Sequence, residues 1–81
     1  MLYTAKCFWP GVTEAEVTFA AANAGGGFRG VLFLPGDELA LCLFQAPSRA
    51  AAKRASEHAG MPCERIIESV WVDPPGEGGT R

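Results

Sequence analysis

The chain has 81 residues, of which 48% are hydrophobic and 20% charged, and its formal net charge is -2. That length makes one domain, which buries only about 60–65% of the surface its unfolded chain exposes, so the core calls for support from disulfides, a metal or association. The acidic balance excludes the electrostatic footprint of a nucleic-acid binder, no apolar run nears the roughly 20 residues of a membrane span, and three cysteines are too few and too scattered for a disulfide framework.

Residues 2–9 read as a first strand, with Tyr3, Ala5, Cys7 and Trp9 on one face and Leu2, Thr4, Lys6 and Phe8 on the other. Pro10-Gly11 ends it. Thr13-Glu14-Ala15-Glu16 is a capping box, in which the Thr13 hydroxyl accepts from the Glu16 amide and the Glu16 carboxylate reaches back to the Thr13 amide. The acidic first turn suits the helix dipole, and the helix should run to Ala24, where Gly25-Gly26-Gly27 breaks it. A second strand follows over residues 28–34. Pro35-Gly36-Asp37-Glu38 has the residues to turn the chain into the apolar run of residues 39–44, a short stretch that reads as a strand buried on both faces. Ser48 is an N-cap for a second helix over residues 49–59, Gly60-Met61-Pro62 stops it, and a fourth strand spans residues 64–72. Residues 73–81, rich in proline and glycine, read as a tail that adds little stability. The domain proper is then residues 1–72.

Strand, helix, strand, strand, helix, strand is the split βαβ order of ferredoxin-like α+β folds, a four-stranded antiparallel sheet. Right-handed crossovers put both helices on the same face of it. The opposite face is then bare, yet Leu39, Leu41 and Leu43 alternate with Ala40, Cys42 and Phe44, so either face of that strand is apolar. Soluble monomers rarely expose such a patch. The expectation is a symmetric dimer packed sheet to sheet.

Three stretches carry a family resemblance: Pro10-Gly11-Val12-Thr13 before the first helix, Leu41-Cys42-Leu43-Phe44-Gln45-Ala46-Pro47-Ser48, and Ala59-Gly60-Met61-Pro62-Cys63-Glu64-Arg65-Ile66. In these the chain resembles the domain of unknown function 4242 family, small bacterial proteins some of which are described as nickel-binding. The resemblance covers nearly the whole chain. It implies a ferredoxin-like fold that dimerises. Members linked to nickel look rich in histidine near the end of the first strand and around the second helix, where this chain offers Cys7 and Met61, and its one histidine is His58.

Metal chemistry is also weighed from the residues themselves. The first and third strands are neighbours in a split βαβ sheet, so Cys7 and Cys42 can approach on one face and supply two thiolates. A zinc or soft-metal site needs further ligands, from His58, Met61, Cys63 or a second subunit. The metal candidates are thus Cys7, Cys42 and His58, for nickel, zinc or copper. Neither CxxC nor HxxxH is present, and a buried free cysteine ordinarily packs as a small hydrophobe.

Two enzymatic readings stand beside this. Cys7-Phe8-Trp9 is similar to the Gly-Cys-Phe-Trp signature of A-class peptide methionine sulfoxide reductases, but Lys6 replaces the glycine, Pro10 follows the tryptophan, and the chain is far shorter than that fold requires. A cofactor-free oxygenase or isomerase would instead place its pocket between sheet and helices, lined by Tyr3, Trp9, Phe33, Phe44 and Trp71, which serve equally as core or interface residues. No convergent acid-base pair is visible. The sequence therefore points first to a small ligand- or metal-binding accessory protein acting as a homodimer, with neither nucleic acid nor membrane as partner. An odd cysteine count, without a charged-then-apolar leader pattern in residues 1–9, points to the cytoplasm.

Overall fold

The computed structural model describes residues 1–75. Its elements are β1 (Leu2–Phe8), α1 (Glu14–Ala22), β2 (Phe28–Leu34), β3 (Leu39–Gln45), α2 (Arg49–His58) and β4 (Cys63–Ser69), with a 3-10 turn at Pro35–Asp37 between β2 and β3. The sheet order is β2-β3-β1-β4 and every pairing is antiparallel. This is the ferredoxin-like α+β arrangement that the order of elements dictates. No helix among the described residues is long and apolar enough to cross a membrane.

Local chemistry sets the helix ends. Thr13 Oγ1 accepts from the Glu16 amide at 3.2 Å, and Glu16 Oε1 accepts from the Thr13 amide at 2.9 Å, so the capping box closes in both directions. Helix α1 stops two residues short of Ala24, because the Asn23 side chain takes over the last turn, donating from Nδ2 to the Phe19 carbonyl at 2.8 Å. At α2, Ser48 Oγ accepts from the Ala51 amide at 3.1 Å. Gly60, left-handed at φ 77°, ends that helix, and its amide and that of Met61 donate to Glu57 and Ser56 carbonyls, at 3.0 Å in each case. Lys53 and Glu57 form an exposed i,i+4 pair at 3.4 Å.

Both helices pack on one face. Tyr3, Ala5 and Cys7 of β1, Ala40, Cys42 and Phe44 of β3, and Ile66 of β4 are buried there against Ala20 and Ala24 from the α1 end of the chain and Ala52 of α2. Small helix residues let the backbones approach the sheet. Phe44 is wholly buried and takes the Phe28 ring edge-on, with centroids 5.5 Å apart. The run of residues 39–44 is consequently not buried on both faces within one chain. Leu39, Leu41 and Leu43 point away from the helices and are only half-buried, because both crossovers land on the other side.

Strand β4 is also shorter than expected. Ser69 lies opposite Leu2, the first residue of β1, while the backbone of Met1 exchanges hydrogen bonds with Ala46. Val70, Trp71 and Val72 have no strand left to pair with, and they stand 84%, 71% and 77% exposed. Of the proposed tail at residues 73–81, residues 76–81 lie outside the described residues.

Two register shifts complete the sheet. Lys6 faces Arg65 while Cys7 faces Cys63, leaving Glu64 as an extra residue in β4, and Phe28 faces Phe44 while Gly30 faces Leu43, leaving Arg29 as an extra residue in β2. Each bulge re-aims its neighbours. The first brings Cys63 opposite Cys7, and the second lets Phe28 and Val31 both pack against the core although they are three apart.

Candidate functional site

Two places in the fold bring chemically distinctive residues together. The first is a cluster of thiols beneath the helices. Cys7 and Cys42 lie on adjacent strands with their side chains on the buried face, Cys42 opposite Ala5 and Cys7 opposite Ala40, and all three cysteines are free. The Cys7 thiol donates to the Ala5 carbonyl at 3.6 Å. Its pKa is driven far above the ordinary thiol range, first by the neighbouring Cys42 and then by burial. The same contact draws Cys42 down, against its own burial. Burial raises Cys63, and the Ser56 hydroxyl works in the opposite direction. Ser56 itself is fully buried, donating to the Lys53 carbonyl at 2.8 Å.

The pair therefore meets the first condition for joint chemistry, adjacent strands and a shared face. The third candidate ligand does not join it: His58 is the exposed last residue of α2. Among the described residues, no group of three or more His, Cys, Asp and Glu side chains gathers closely enough to hold a metal ion.

These thiols couple stability to pH. Cys7 and Cys63 hold their protons more tightly folded than unfolded, so their contribution is complete below the unfolded thiol pKa of about 8.5 and is lost as pH rises above it toward the folded values. Cys42, shifted downward, offsets part of that loss. The urea midpoint at about pH 10 is expected to fall below that at about pH 7, and the drop should shrink when Cys7 and Cys42 are both replaced by alanine, since Cys7→Ala alone leaves Cys42 buried without the contact that lowers it. An equal drop in both proteins would remove the pair from this account.

The second place is the open face of the sheet. A concavity of about 670 Å³ lies there, with Leu2, Leu32, Leu41 and Leu43 as its apolar surface, Trp71 as a wall, and Thr4, Arg29, Gly30, Val31 and Gln45 completing it. The Thr4 hydroxyl is already engaged with Ser69 Oγ at 2.6 Å. Nearby, Lys6 pairs with Glu64 at 3.7 Å. Phe8 and Ile67 extend the apolar surface along the same face, 47% and 36% exposed.

The aromatic residues proposed from sequence divide between the faces. Tyr3 and Phe44 belong to the core, and Phe33 packs against it. Trp9 also packs on the core and lines a smaller hollow of about 330 Å³ with Ala15, Glu16, Phe19, Ala20 and Gly60. Trp71 alone of the five reaches the larger concavity, where its Nε1 donates to Asp73 Oδ1 at 3.0 Å. Sequence reasoning missed Arg29. The signal that marks it is the isolated Gly30 within an apolar strand, which is the mark of a bulge.

Fold and faces together define a ferredoxin-like α+β domain with one face of its sheet covered by helices and the other open. No family model matches the chain, and no curated protein does. Among solved structures, the crystal structure of SCO4226 from Streptomyces coelicolor A3(2) superposes with a TM-score of 0.67 at 20% sequence identity, over 90% of this chain and 100% of that one. At that identity the likeness is one of fold.

Proposed function

We propose that the protein is a homodimeric accessory module that binds a small molecule on the open face of its sheet, two copies packing sheet to sheet and enclosing the concavity between them. The observation that carries this reading is the apolar surface of Leu2, Leu32, Leu41 and Leu43, with Phe8 and Ile67 beside it, on a face that neither helix covers. Such a patch on a small soluble domain marks an interaction surface, and a second copy of the same face is the self-complementary partner that closes it. The resemblance of the chain's motifs to the domain of unknown function 4242 family points the same way. A small-molecule ligand is favoured over a metal because Cys7, Cys42 and His58 do not converge as a ligand set. Binding is favoured over catalysis because the concavity is lined by neither an acid nor a histidine. Three free thiols suit a cytoplasmic setting.

Native mass spectrometry of protein purified without a metal-affinity tag reports subunit number and any retained molecule together. A dimer carrying a small organic molecule is the expected species. A bare monomer at micromolar concentration would overturn the proposal.

A further inference from the structure

Resting on that reading of the open face as a binding surface, we infer that the ligand is an amphipathic monocarboxylate, its apolar body lying over Leu2, Leu41 and Leu43 and its carboxylate held by Arg29. The hollow is of ligand size, about 670 Å³ where small-molecule sites span roughly 300–1,000 Å³. Its lining contains one cation and no acid, on a chain whose formal net charge is -2. Thr4 is occupied by Ser69, so Arg29 and Gln45 are the side chains left to orient a polar group.

Backbone geometry puts Arg29 there. It is the extra residue between the Phe28–Phe44 and Gly30–Leu43 pairs, so it has no cross-strand partner, and Gly30 beside it sits at φ 147°, a conformation that side chains rarely adopt. Bulges of this kind re-aim a side chain next to a site. Arg29 makes no salt bridge with a carboxylate among the described residues. A guanidinium is weakly hydrated and planar, and its fork matches a carboxylate with two parallel hydrogen bonds. One cation beside an extended apolar surface balances one negative charge, which suits a monocarboxylate better than a phosphate monoester. Trp71, whose ring supplies a flat apolar wall, is positioned to cover the body of the ligand.

The test is calorimetric titration of the intact protein with decanoate, 1-decanol and decyltrimethylammonium, each below its aggregation concentration, repeated with Arg29→Gln. Decanoate should bind the unmodified protein about tenfold or more tightly than decanol, and the cation should bind most weakly. Arg29→Gln should abolish the preference for decanoate over decanol. Equal binding of decanoate and decanol, or a preference that survives in Arg29→Gln, would overturn carboxylate recognition while leaving the binding surface in place. Failure of all three probes to bind would overturn the binding surface itself and this inference with it.

Discussion

Leu41→Asp should yield a monomer of nearly unchanged folding stability, and Cys42→Asp should lose a large part of its folding stability. The two residues are neighbours in β3 and therefore point to opposite faces of the sheet. Cys42 is 1% exposed beneath the helices beside Cys7. An aspartate there buries a charge without a partner, at a cost of about 3–5 kcal/mol, against a total stability of about 4–12 kcal/mol for a chain of this length. Leu41 lies on the open face, where an aspartate in a single chain remains in contact with water. Its effect appears only on association, because the two-fold related face would have to desolvate the same charge. Sedimentation velocity and far-ultraviolet circular dichroism on both variants separate the cases. A Leu41→Asp protein that sediments as a dimer would show that the sheet face is not the interface.

That contrast depends on knowing which residue faces the helices, and the sequence carried this information unevenly. Helix starts were legible because their determinants are local: Thr13 and Glu16 are three residues apart, and Ser48 meets Ala51 at the same spacing. Placing both helices on one face followed from the handedness of two crossovers. The bulges were not legible. They arise from pairing residues far apart in sequence, Cys7 with Cys63 and Gly30 with Leu43, and period-two alternation within one strand cannot show where a partner slips. The site was lost for the same reason. Aromatic residues drew attention as pocket candidates, yet Tyr3 and Phe44 are core, whereas Arg29 enters the concavity only through the bulge. Trp71 was read as strand because Val70, Trp71 and Val72 are apolar, but a strand ends where its neighbour does, and β1 begins at Leu2.

The three glycines before β2 should respond differently to the same substitution, although in sequence they form one helix-breaking run. Gly26 is not among the glycines with positive φ and has nothing within 4 Å of where a Cβ would stand, so Gly26→Ala should stabilise by about 0.4–1 kcal/mol through the unfolded chain. Gly25 sits at φ 87°, and Gly25→Ala should cost about 1–2 kcal/mol for the left-handed conformation. At Gly27 a Cβ would fall 2.6 Å from the Gln45 carbonyl oxygen. That atom belongs to the backbone of β3, and the two residues are also tied by the Gln45 amide donating to the Gly27 carbonyl at 2.7 Å. Neither strand can retreat without breaking that bond, so Gly27→Ala should cost about 1–3 kcal/mol, the largest loss of the three. Thermal melts resolve the order, since each kcal/mol moves the midpoint by roughly 4–8 °C in a domain of this size. Gly27→Ala should also disturb the bulge that begins one residue later, and so weaken decanoate binding through the position of Arg29. If Gly27→Ala melted with the unmodified protein and bound decanoate equally well, the close approach of β2 to Gln45 would not be what sets the geometry of the concavity.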